Sequence, residues 1–152
     1  MVYCNRFEIL GDITVNEEYG KCSKYPNYLI YRNGDIFNIK KKRMLNKNKT
    51  VNNYEYCTLY SKNNENKTIK FMIYVHRLMY LLFVDDIDDG MEIDHINHIR
   101  DDNNIDNLRC ITKAENRRNR RINNNNYSEN DKKHNDKYKK YYHNYYLNKK
   151  IN

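Results

Sequence analysis

Residues 91–121 read MEIDHINHIRDDNNIDNLRCITKAENRRNRR, and the order of residue types in that stretch decides how the rest of the chain is read. Asp94 and His95 are adjacent. Asn107 follows the histidine by twelve residues, and Asn116 lies nine further on. Residues 91–94 are strand-like, and residues 108–111 (LRCI) form a second candidate strand, with polar turn formers between them. Thr112-Lys113-Ala114-Glu115 has the spacing of a capping box, in which a hydroxyl and a carboxylate three residues apart satisfy the first helical N–H groups. The stretch therefore predicts strand, loop, strand, helix. The helix begins at Thr112 as its N-cap, carries Asn116 as its fourth helical residue and runs to about Arg121.

Working outward toward the N-terminus, residues 75–83 (VHRLMYLLF) are the most apolar segment. They are too long and Leu-rich for another strand and predict a buried helix. Residues 54–60 (YEYCTLY) alternate and are rich in strand formers, and residues 68–74 (TIKFMIY) make the return strand. Asn33-Gly34, between residues 28–32 and 35–39, predicts a β-hairpin closed by a two-residue primed turn. Residues 40–50 read as a basic connector, and residues 7–15 have room for one short strand. The acidic run at Asp85, Asp86, Asp88 and Asp89 reads as a solvated linker, not a metal site. His76, on the apolar helix, reads as a core histidine with a satisfied hydrogen bond.

The fold class is α+β: a small antiparallel N-terminal sheet with a buried helix, then the strand–strand–helix segment, then a tail. With 152 residues, 39% hydrophobic content and 16 tyrosines, the chain has a small, tyrosine-rich core, in keeping with a mean hydropathy of −1.12. Nothing approaches the roughly 20 apolar residues of a membrane helix. The N-terminus lacks a signal-peptide pattern, so the expectation is a soluble, intracellular protein. Four cysteines without C-x-x-C spacing predict reduced thiols, not a zinc site. The net charge of +8 sits entirely after Asn116, where eleven Lys and Arg face three acids. A neutral body with a basic arm suggests a polyanionic partner. From Asn123 the sequence is of low complexity and predicts a tail that is disordered or partly helical without a partner.

The central residues suit hydrolytic chemistry on a phosphodiester. Asp94 and Asn116 offer one charged and one neutral hard oxygen, a donor set for Mg²⁺ or Mn²⁺. His95 alternates to the other side of its strand from Asp94, and a bend at the strand end would turn it toward the same phosphate. An imidazole with an unperturbed pKa of about 6.5 can accept a proton near neutral pH. Asn107 is placed to hydrogen-bond either the loop or the imidazole. Arg117, Arg118, Arg120 and Arg121 follow the metal-ligand candidate directly, and Arg120 shares its helix face. Lys40 and Lys42, with Asn38, are candidates for contacts from the hairpin. Lysines interleaved with Tyr138, Tyr141, Tyr142, Tyr145 and Tyr146 suit phosphate neutralisation and base stacking. If roughly six to ten phosphates are contacted, affinity falls about 10³–10⁵-fold between 50 and 200 mM salt.

Asp94-His95-Ile96, Asn103-Asn104, Asn107-Leu108 and Thr112-Lys113-Ala114-Glu115-Asn116 together resemble the core of the HNH endonuclease family, in its homing-endonuclease-like branch. Val75-His76-Arg77-Leu78 resembles the segment upstream of that core, and the hairpin at Asn33-Gly34 resembles the small DNA-contacting module these enzymes carry. The resemblance implies a ββα-metal fold, with His95 as general base, Asp94 and Asn116 as metal ligands, and Asn107 positioning loop and base. It implies Mg²⁺ or Mn²⁺ as cofactor, double-stranded DNA as partner and a monomer or homodimer that nicks or cuts. The alternatives are a DNA-binding protein on an inactive HNH scaffold and an interaction domain in which the pattern is only structural. The layout is a DNA-contacting module over residues 1–74, a nuclease core over 75–121 and a basic tail over 122–152. Where the family turn carries glycine this chain has His98, which predicts a different turn.

Overall fold

The computed structural model of the protein describes residues 5–125, with side chains through residue 120. The basic tail with its tyrosines, the side chain of Arg121 and Cys4 lie outside the described residues. Two compact units divide between Thr112 and Lys113.

The first unit opens with α1 (Arg6–Leu10), where residues 7–15 leave room only for a strand by pattern. Asn5 explains the helix: its side-chain oxygen accepts from the N–H groups of Phe7 and Glu8, an N-cap that closes the first turn. The strand follows as β1 (Ile13–Val15), antiparallel to β2 (Tyr19–Cys22). The hairpin strands are β3 (Tyr28–Tyr31) and β4 (Ile36–Asn38). The supposed basic connector holds two short strands, β5 (Arg43–Met44) on β4 and β6 (Asn48–Lys49) on the next long strand, β7 (Glu55–Lys62). β7 pairs over its length with β8 (Thr68–Tyr74). Strands β1 to β5 make one antiparallel sheet in sequence order, and β6 to β8 make another. The Tyr28 hydroxyl accepts from the Tyr60 N–H at 3.2 Å and joins the two.

The hairpin turn differs from the two-residue form. Tyr31 N–H bonds Asp35 O and Gly34 N–H bonds Tyr31 O, so Arg32, Asn33 and Gly34 form a three-residue loop. Gly34 alone of these is left-handed, at φ 88°. This is a type I turn completed by a left-handed glycine.

The apolar segment is α2 (Val75–Phe83), with the bounds its sequence gives. Val75, Leu78, Met79, Leu81 and Leu82 are fully buried. Each contributes about 1.5–3 kcal/mol by leaving water. The helix touches α1, β1, β2, β7 and β8, so it is the hub on which both sheets close. No basic residue occupies its last turn. Arg6 supplies the missing cation, donating to the carbonyls of Val84 at 3.1 Å and Leu82 at 3.4 Å. The acidic linker is also tied down, because Asp86 Oδ1 accepts from Arg6 N–H at 2.7 Å.

After the linker come β9 (Met91–His95), a 3-10 turn (Ile105–Asn107) and β10 (Leu108–Thr112), which pairs antiparallel with β9. α2 also contacts both of these strands and the 3-10 turn. Cys22, Cys57 and Cys110 are free thiols, and burial pushes Cys22 up to about 11 and Cys57 to about 12. The second unit contains α3 (Lys113–Asn125), whose first residue follows Thr112, so Asn116 is its fourth residue as expected. Among the described residues no helix is long and apolar enough to cross a membrane.

Candidate active site

The β9–β10 ribbon places Asp94 directly across from Arg109. Arg109 Nε and Nη2 both donate to Asp94 Oδ2, at 3.0 and 2.8 Å. The Asp94 side chain is 11% exposed and that of Arg109 42%. The carboxylate is therefore oriented by a cross-strand guanidinium that sequence reading did not single out. Its signal was the strand register, which sets residue 109 opposite 94 once the two strands are paired.

His95, the next residue on β9, takes the other face, as strand alternation requires. The imidazole is 3% exposed, with its centroid 5.2 Å from the His76 ring and 6.0 Å from the Tyr54 ring. Its Nε2 lies 3.2 Å from Asn103 Oδ1. Burial lowers its pKa below the ordinary 6.5, against an opposing pull from the Asn103 bond and from Asp94, Asp102 and Asp101. A neutral ring, able to accept a proton, is the result near pH 7.

Asn107 serves the loop. Its Oδ1 accepts from Asn97 N–H at 3.0 Å, and its Nδ2 donates to Asn97 Oδ1 at 2.9 Å and to Asp102 O at 2.8 Å. Its own carbonyl accepts from Ile96 N–H at 2.8 Å. One buried amide thus clasps both ends of the loop. The amide on the imidazole is Asn103, the first of the Asn103-Asn104 pair, and Asn104 caps the 3-10 turn by accepting from Asp106 N–H.

His98 adopts φ 60° and donates its N–H to His95 O at 2.9 Å. A histidine thus stands in the left-handed region at this turn. Histidine is among the side chains that tolerate this region best. His76 is buried as expected, but its Nδ1 has no hydrogen-bond partner among the described residues. Burial, then the neighbouring His95 and Arg77, pushes its pKa down to about 3.

The remaining predicted residues fall in several places. Asn116 is the fourth residue of α3 and 6% exposed, and Arg117, Arg118 and Arg120 are exposed on the same helix. Lys40 is exposed after β4 and, with Lys24, Lys41 and Lys62, lines an open groove of about 980 Å³ floored by Tyr25 and Phe71. Lys42 is exposed in the turn before β5, at φ 51°. Among the described residues no three His, Cys, Asp or Glu side chains converge on a cation position. Asp94 lies in the first unit and Asn116 in the second, and each offers a hard oxygen of the kind Mg²⁺ or Mn²⁺ takes.

Two further polar residues reach this region and were not foreseen. Glu55 heads β7 on the same inward face as Cys57 and Leu59. A glutamate at buried strand parity was the signal available. Lys47, between β5 and β6, bonds Glu55 Oε2 at 2.8 Å.

Residues 73–118 match the family model described as HNH endonuclease. Among solved structures, the chain is similar to one described as DNA binding and cleavage by the HNH homing endonuclease I-HmuI. The identity is 25% and the TM-score 0.55, and the likeness covers 67% of this chain and 56% of that one. The chain thus spans little more than half the length of that relative. No curated protein sequence matches it.

Proposed function

We propose, for a chain whose residues 73–118 match the HNH endonuclease family model, a divalent-metal-dependent endonuclease that hydrolyses DNA phosphodiesters. The observation that carries this reading is the junction of the family match with Asp94 and His95 at the end of β9, above a loop clasped by Asn107. His95 accepts the proton of the attacking water, a role worth on the order of 10²–10⁴-fold in rate. Asn107 holds the loop from which His95 works, and Arg109 orients Asp94. Asp94 and Asn116 would hold Mg²⁺ or Mn²⁺, which when bound supplies charge stabilisation on the phosphate and the leaving oxygen. Arg117, Arg118, Arg120, Arg121, Lys40 and Lys42 contact backbone phosphates of double-stranded DNA. Residues 1–74 serve as the DNA-contacting module, 75–121 as the nuclease core and 122–152 as a basic arm. A monomer has one such centre and nicks; a homodimer would cut both strands.

A second reading, binding to DNA without cleavage, draws on the Arg109 guanidinium at Asp94 Oδ2 and on the 3% exposure of His95. Supercoiled plasmid incubated with the protein in Mg²⁺ or Mn²⁺, with a chelator control, separates the two. Conversion to open circle that the chelator abolishes supports the nuclease. Retardation of DNA without nicking in either metal supports the second reading. Neither nicking nor retardation contradicts both.

A further inference from the structure

The polar groups behind His95 form a line with a fixed direction, buried from Glu55 inward. Lys47 has only donors, and its Nζ meets Glu55 Oε2 at 2.8 Å. The Glu55 carboxylate therefore stays an acceptor. Asn103 Nδ2 donates to Glu55 Oε2 at 2.9 Å and to Asp101 O at 3.4 Å. Both partners accept only, so the amide cannot flip without setting its oxygen against two oxygens. Asn103 is 1% exposed, so bulk solvent does not reach it to relieve such a clash. Asn103 Oδ1 is thereby turned to His95 Nε2, at 3.2 Å. An acceptor oxygen there requires that Nε2 carry the hydrogen. In a neutral imidazole the lone pair is then on Nδ1. Gly34 holds the amide in place from behind: a Cβ at that position would sit 2.8 Å from Asn103 Cβ.

We infer that Lys47, Glu55 and Asn103 are positioning residues that select the Nε2–H tautomer of His95 and so make Nδ1 its proton-accepting atom. The inference rests on the reading of His95 as general base. It reaches back through the fold to β7 and the β5–β6 loop, so the N-terminal sheets set the chemistry of the histidine as well as supporting it. The line runs from an ion pair (Lys47–Glu55) through a charge-assisted bond (Asn103 to Glu55) to a neutral one (Asn103–His95), and each member fixes the direction of the next.

The test uses the full chain labelled with ¹⁵N-histidine, with NMR of the ring nitrogens at about pH 8, where imidazole is neutral. The expected result is a protonated-type Nε2 and a lone-pair-type Nδ1 for His95, assigned by its absence in His95→Gln. Asn103→Leu should give a mixture of tautomers and a nicking kcat lowered on the order of 10²-fold, with KM for plasmid little changed. Glu55→Gln can set its amide oxygen where Oε2 accepts from both Lys47 and Asn103, and so keeps the direction of the line. It should retain the Nε2–H signature and a kcat within about tenfold of wild type. An Nδ1–H tautomer in the wild type overturns the inference. So does Asn103→Leu with the wild-type spectrum and rate, or a folded Glu55→Gln variant with a mixed tautomer. The spectrum is read without DNA or metal, so its failure is distinct from a failure to nick.

Discussion

At the scale of single residues, Asn107 and His98 carry the sharpest consequences. Asn107 makes three side-chain bonds that close the loop. Asn107→Asp has the same shape but sets oxygen against Asn97 Oδ1 and Asp102 O. It should cost about 2–3 kcal/mol in urea melts, more than the loss of one bond alone, and lower nicking with it. His98 sits at φ 60°, a conformation that costs an L-residue about 1–2 kcal/mol. His98→Gly should stay within about 1 kcal/mol of wild type, since relief of the backbone offsets the lost side chain and the added chain entropy. His98→Val should lose about 1–2 kcal/mol, because a β-branched side chain tolerates this region worst. Equal stability of the glycine and valine variants would contradict this account of the turn. Asp94, His95 and Asn107 are legible in sequence because their order and spacing are local. Asn103 on the imidazole, with Glu55 and Lys47 behind it, was not. That contact depends on which of several asparagines in one loop points inward, and on a strand 48 residues away.

At the scale of elements, α2 and the β3–β4 turn decide what the site can do. The α2 bounds are legible from an unbroken apolar run, whereas α1 depends on a single cap at Asn5 and the two strands of residues 40–50 depend on pairing with β4 and β7. The turn type also escaped sequence reading, because Asn-Gly fits both a two-residue primed turn and the three-residue turn observed. Gly34→Ala should cost about 2–4 kcal/mol, from a left-handed backbone plus a Cβ driven into Asn103. A melting temperature equal to wild type would contradict the packing of the turn on the loop. In the first turn of α2, His76 is held neutral, with its pKa lowered to about 3 chiefly by burial. In the unfolded chain it protonates near pH 6.5. Below that pH the unfolded state binds more protons, so stability is full above about 6.5 and falls as pH drops toward 3, by up to about 1.4 kcal/mol per pH unit. His95 acts in the same direction. His76→Phe should flatten the fall between about pH 6 and pH 4. An unchanged slope would show that His76 is not buried neutral.

At the scale of the whole molecule, sheets, α2 and the β9–β10 ribbon serve one purpose, which is to hold His95 and Asp94 on opposite faces of a strand end with their partners fixed. The α+β class and the strand–strand–helix order follow from period and capping, and the family likeness spans the same residues, 73–118. How the N-terminal sheets contribute was not legible, because β7 reaches the histidine only through tertiary contacts. The most direct measurement compares wild type with His95→Ala for metal-dependent nicking of supercoiled plasmid, with DNA retardation measured in parallel. The account predicts that His95→Ala loses on the order of 10²-fold or more in nicking rate while retaining DNA binding. A variant that nicks plasmid as fast as wild type would contradict it.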